Sequence, residues 1–353
     1  MPTFRQLEDF ARTTHTPLGY FFLAEPPLEQ VPIPDLRTIG GSAIARPSAN
    51  LLDTVYMCQQ RQDWYRHHAK HMGDPALSFV ASVTIEADPI QTASDIRATL
   101  MASEHSKPAA ANDGDALRTW MDRADALGIM VMVSGIVGNN THRPLDIEEF
   151  RGFALADSLA PIVFINGADT KAGQLFTLAH EIAHIWAGES ALTNITPASS
   201  PRAAIERWCN AVAAEVLVPM DSFRNNLRPD APWHDEVKRL ARACGVSTLV
   251  ILRRMRDAGR ITRDEHTLFH EREARRLREL VSNRQAAGGN FYHTAQYRLS
   301  PRFASAVLTS TYEGRSTFTE AFRLLGCRNT TTLDNIAHSL GLSNPTMNEP
   351  GTR

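Results

Sequence analysis

Only four cysteines occur in the 353 residues, and Cys58, Cys209, Cys244 and Cys327 are too far apart to form a C-x-x-C pair. Neither a disulfide framework nor a thiolate zinc site is therefore suggested, and four reduced thiols are expected. No run approaches the roughly 20 uncharged apolar residues that span a bilayer. The opening decapeptide MPTFRQLEDF carries charge where a signal peptide would carry its apolar segment. A cytoplasmic protein with no membrane association is the expectation. A surplus of one charge is also missing: the formal net charge is -2, so no global attraction to nucleic acid follows. Residues 236–284 do hold thirteen Lys or Arg against seven Asp or Glu, and any such affinity would be local.

What is present is a 43% hydrophobic, 22% charged chain, long enough for a sizeable core and for two or three domains. Phe4, Leu7, Phe10 and Ala11 recur at helical spacing before Pro17 and Gly19 break the pattern, giving a short amphipathic helix and a turn. The segment EPPLEQVPIP, Glu25 to Pro34, holds four prolines and reads as a linker continuing to about Pro47. Leu51 to Met72 and Asp115 to Leu127 have helical patterns, separated in part by a polar, Ala-rich segment near Lys107 to Gly114. Ile129–Val133, Arg151–Leu155 and Ile162–Ile165 are short apolar or alternating runs bounded by Gly, Pro and Asn, as strands are. Together these make an α+β domain.

Lys171 to Trp186, KAGQLFTLAHEIAHIW, reads as a helix with Asp169 or Thr170 to cap its start and Gly188 to end it. Its centre is H-E-x-x-H. At about 3.6 residues per turn, His180 and His184 leave one face a turn apart, where two neutral imidazoles can bind one zinc ion. Glu181 beside them has the chemistry of a general base acting on water next to a metal. Five-residue matches of this kind also arise in proteins without zinc. Here, however, the helix is flanked by Phe176, Leu178, Ile182 and Ile185, and burying two imidazoles and a carboxylate is costly without a ligand.

A catalytic zinc needs a third protein ligand and an open position. The metzincin extension is excluded, because Ala187 and Ser190 stand where its Gly and third His would be. The next helical pattern, Pro201 to Leu217, PRAAIERWCNAVAAEVL, offers Glu206 and Glu215. Nine residues separate them, about 900° of rotation, so they lie on opposite sides and only one can join the histidines. Glu206, with Asn210 a turn beyond on its own face, is the candidate taken. As helix-surface charges, both would need no metal.

FTLAHEIAH and ERWCNAVAAEVLVP together resemble the paired motifs of the ImmA/IrrE family of metallopeptidases, a gluzincin-like group. Arg143 to Asn166, RPLDIEEFRGFALADSLAPIVFIN, resembles the strand pair before that family's zinc helix, and weaker similarity runs to Leu342. The resemblance implies zinc on His180, His184 and Glu206, with Glu181 as the base. Asn210 is assigned to steadying Glu206 or a ligating histidine from behind. Trp186 and Trp208 are assigned to the core. The implied fold is a zincin-like domain, helices on a small sheet, over 48–225, followed by a mainly helical region over 226–353.

The resemblance also implies cleavage of a specific repressor, often of the helix-turn-helix class, under stress, DNA damage or mobile-element control. Residues 1–47 resemble the end of a repressor-type DNA-binding domain, without its earlier helices, followed by the linker; the N-terminus alone should not read DNA. A second helix-turn-helix-like pattern at 236–261, with Arg253, Arg254 and Arg256 nearby, is assigned to helical support ahead of DNA binding. Residues 270–284 alternate in charge, as a solvated helix does. Gly288 and Gly289 precede further helical segments up to Leu342. His67, His68 and His71 are read as surface residues. The alternative to a peptidase is a regulatory or toxin-antitoxin-type binding protein with a structural zinc.

Overall fold

Three strands made almost entirely of apolar residues organise the molecule. In the computed structural model β1 (Met130–Ser134), β2 (Gly152–Leu155) and β3 (Ile162–Asn166) are buried at every position, and β4 (Ala191–Thr193) completes a sheet of order β1-β3-β2-β4. β1 runs parallel to β3, while β2 is antiparallel to both β3 and β4. Burial on both faces explains why these runs are continuously apolar rather than strictly alternating. The structure describes residues 2–14, 16–25, 47–102, 113–193, 201–228, 230–285 and 298–342. The proline-rich linker after Glu25, most of the Ala-rich segment and the Gly288–Gly289 break lie outside them.

Side chains on successive strand residues point to opposite faces, and two cores result. Val131, Val133, Ala154, Val163 and Ile165 face the helices α3 (Pro89–Met101), α4 (Asp113–Ala126), α5 (Lys171–Ala187) and α6 (Pro201–Leu217). Met130, Met132, Phe153, Leu155, Ile162 and Phe164 face α2 (Ala49–Met72) and the C-terminal helices. Each large side chain so buried contributes on the order of 1.5–3 kcal/mol. This is the expected α+β class, with helices on a small sheet.

Local signals account for the helix ends. Ser48 accepts a hydrogen bond from the Leu51 amide and Gly73 takes a left-handed conformation, so α2 begins and ends where its polar and glycine residues allow. α3 lies outside the helices anticipated from sequence, although Asp88 caps it and Pro89 occupies its first turn. It buries Thr92, Ala93, Ile96 and Leu100 against α6. Near the N-terminus, α1 (Phe4–Thr14) and a 3-10 turn at Leu18–Phe22 match the expected helix and turn. α1 buries no residue, and its Phe10 ring meets Phe21 at 5.5 Å.

After α6 come α7 (Met220–Asn226), α8 (Trp233–Cys244), α9 (Thr248–Asp257) and α10 (Arg263–Gln285). α8 and α9 are the two helices expected of the helix-turn-helix-like segment, joined at the left-handed Gly245. Val250, Ile251, Leu252, Arg254 and Met255 of α9 are buried, so the helix that would face a DNA groove packs into the protein instead. Arg253 and Arg256 both bond Asp257. α11 (Pro301–Tyr312), α12 (Phe318–Leu325) and α13 (Thr330–Ser339) cover the far face of the sheet together with α2.

Candidate metal centre

α5 is apolar almost all round and is correspondingly buried from Gln174 to Trp186, apart from half-buried Phe176. Thr170 caps it through the Gly173 amide at 3.1 Å, and Gly188, at φ 74°, ends it. β3 leads into it through Asn166 to Asp169, where Arg151 of the β2 approach holds Asp169 at 2.7 Å. The helix is thereby fixed at its start against the sheet. His180, Glu181 and His184 emerge with relative exposures of 2%, 0% and 0%.

α6 crosses α5 and brings Glu206 to the same point. Glu206 Oε2 lies 3.3 Å from His180 Nε2, Glu206 Oε1 lies 3.2 Å from His184 Nε2, and the two Nε2 atoms are 3.1 Å apart. Ligands at about 2.0–2.1 Å around tetrahedral zinc stand about 3.3 Å from one another. The two imidazole nitrogens already have about that spacing, and each has one oxygen of the Glu206 carboxylate at a similar distance. Glu206 Oε1 makes no hydrogen bond of acceptable geometry despite its closeness to His184, and among the described residues the Nδ1 atoms of both histidines are also without a partner. Among the described residues this is the group of His, Cys, Asp and Glu side chains arranged to hold a metal ion.

The electrostatics agree. Burial alone would raise the Glu206 carboxyl, but His180 foremost, and His184 with it, hold it down at about 2. Burial presses both imidazoles toward the neutral form; for His184 that wins, whereas Glu206, helped by Glu181 and the nearby Asn210 side chain, carries His180 above its ordinary value. The site therefore offers an anionic carboxylate and a neutral imidazole, and a cation would replace the proton that His180 shares with Glu206. Cys209, on α6 between these carboxylates, is pushed well above its ordinary value by burial first and then by the negative charge of Glu206, Glu181 and Glu189, and it stays a neutral thiol.

Residues 124–256 match the family model described as the IrrE N-terminal-like domain, peptidase family M78. The chain carries a metallopeptidase domain of the ImmA/IrrE type. The matched span contains the sheet strands, α5, α6, α8 and α9 up to Arg256, so the helix-turn-helix-like segment is continuous with the matched peptidase domain. A second match covers residues 299–339 and is to a domain of unknown function, DUF8813. No curated protein matches the chain.

The other carboxylate of α6 has a different partner. Glu215 Oε2 accepts from Arg254 Nη2 at 2.7 Å, and its Oε1 accepts from the Met220 amide at 2.9 Å. It clamps α9 and the start of α7 onto α6. Trp186 and Trp208 are core residues, as expected: Trp186 stacks on Phe79 at 4.4 Å and the Trp208 indole donates to the Ala87 carbonyl at 2.9 Å. His67 and His71 are exposed, and His68, half-buried, stacks on Trp64. Two residues close to Glu181 escaped the reading of the sequence, Gly152 and Thr177. The signal for the first was there: a lone glycine inside a strand marks a close approach.

Proposed function

We propose that the chain is a zinc-dependent endopeptidase, with zinc held by His180, His184 and Glu206 and with Glu181 as general base. The observation that carries this reading is the convergence of two imidazole nitrogens of α5 and a carboxylate of α6 at 3.1–3.3 Å, with the wholly buried Glu181 beside the histidines on α5. Three protein donors suit a catalytic ion, whereas structural zinc sites close with four. An ion held there would supply Lewis-acid polarisation of the scissile carbonyl and would acidify water.

The protein's own part is proton transfer and positioning. Glu181 takes a proton from the attacking water as its oxygen bonds to the carbonyl carbon. It then delivers that proton to the leaving amine as the C–N bond breaks. Its burial spares it competition from bulk water. Asn210, a turn beyond Glu206 on α6, is placed to steady Glu206 or a ligating histidine. The proposed substrate is a specific protein in the same cytoplasm, a helix-turn-helix repressor whose removal answers a stress or mobile-element signal.

Metal analysis and cleavage test the reading together. The purified protein should carry one zinc per chain and cut a candidate repressor at a defined bond seen by mass spectrometry. Glu181→Gln should keep the zinc and lose at least about 100-fold in rate, the size expected for a lost general base. A chain that binds no zinc even after reconstitution refutes the proposal. A Glu181→Gln variant with undiminished function would point to a binding protein with a structural ion.

A further inference from the structure

Gly152 lies on β2, on the sheet face turned toward α5, paired with Ile165 of β3 and Thr193 of β4. Glycine weakens a strand interior by roughly 0.5–1 kcal/mol relative to alanine. Its backbone does not require it, since Gly152 is not among the positive-φ residues. What requires it is space. A Cβ there would stand 2.5 Å from Thr177 Cγ2, 2.8 Å from the Phe164 carbonyl oxygen and 3.3 Å from Glu181 Oε1. Thr177 and Glu181 are one turn apart on α5, so both project at the same point of β2.

We infer that Gly152 is a positioning residue for the peptidase reaction: the missing side chain forms the slot in which the Glu181 carboxylate lies, and thereby sets its orientation toward the ligands His180 and His184. The inference rests on the peptidase reading above. Even one methyl group at 152 enters the contact shell of Glu181 Oε1, and its harder contacts with Thr177 and the Phe164 carbonyl press α5 and β2 apart at that point. A displacement of about 1 Å at a reacting group can cost on the order of 100-fold in rate, and no atom of His180, His184 or Glu206 is among the three nearest to that Cβ.

The test uses the full chain loaded with Co2+, whose visible absorption reports the metal's surroundings, and acetohydroxamate, a chelator that also hydrogen-bonds a carboxylate beside the metal. Gly152→Ala should leave Co2+ affinity unchanged and weaken acetohydroxamate on the order of tenfold, about one charge-assisted hydrogen bond. Glu181→Gln should do the same, and Thr177→Ser alone should do neither. Gly152→Ala combined with Thr177→Ser removes the 2.5 Å contact but keeps that with the Phe164 carbonyl, so it should recover part of the thermal stability without recovering acetohydroxamate affinity.

If the wild-type chain binds neither Co2+ nor zinc, the peptidase reading itself fails. If Glu181→Gln weakens acetohydroxamate and neither glycine variant does, the reading stands and the role of Gly152 is overturned. Failure of both glycine variants to fold would make the glycine a packing device alone, which also overturns it.

Discussion

Glu206 and Glu215 occupy one helix with almost the same exposure, 9% and 8%, and their neighbours give them opposite uses. Glu206 meets two imidazoles, so its removal takes away a proposed ligand; Glu215 meets a guanidinium, so its removal leaves Arg254 buried without its carboxylate. Glu206→Ala should abolish stoichiometric zinc while the fold persists. Glu215→Ala should keep zinc and lose about 3 kcal/mol of stability, the cost of orphaning one half of a buried pair. Metal analysis beside urea unfolding separates the two, and loss of zinc from a folded Glu215→Ala protein would overturn the assignment. The rotation between the two positions was legible in the sequence. Which of them faced the histidines was not legible from spacing alone, because that depends on how α6 crosses α5.

Element by element, helices with regular spacing and terminal caps were the most legible: α2, α4, α5 and α6 lie within a few residues of their expected bounds. The three-residue β4 and the parallel pairing of β1 with β3 were not, since pairing is decided between segments far apart in the chain. The turn from β2 to β3 shows how such a partner is fixed. Asp157 accepts from the Leu159 and Ala160 amides at 2.9 and 2.8 Å and from Arg66 of α2 at 2.7 Å. Burial alone would raise its carboxyl, but these bonds outweigh it and bring it below 3.8. A carboxyl lowered by folding stabilises fully above its unfolded value and loses that contribution as pH falls through the lower folded one. Asp157→Asn should therefore lower the thermal midpoint at neutral pH. The difference from wild type should shrink as pH drops below about 3.8, and a difference independent of pH would show that the charge is not what matters.

At the scale of the molecule, the sheet is a shared wall between the candidate metal centre and the domain of unknown function at 299–339. Phe303 of α11 is wholly buried in the core beyond that wall and stands edge-on to Trp64 of α2 at 5.9 Å. Arg61 of α2 donates to the Leu324 carbonyl of α12 at 2.9 Å and lies over the Phe303 ring. Asp125, at the end of α4, accepts from Ser300 and from the Arg302 amide, joining α4 to the start of α11. Packing of this kind makes α11–α13 a structural layer of the peptidase unit rather than an appended module. Phe303→Ala should accordingly cost about 3–5 kcal/mol in global stability, read as a lower urea midpoint of one cooperative transition. Zinc affinity of the folded fraction should not change, because α5 stands on the opposite face of the sheet. A stability unaltered by the substitution, or a second transition that it alone shifts, would mean that the C-terminal helices fold as a unit of their own and that the sheet keeps its metal centre without them.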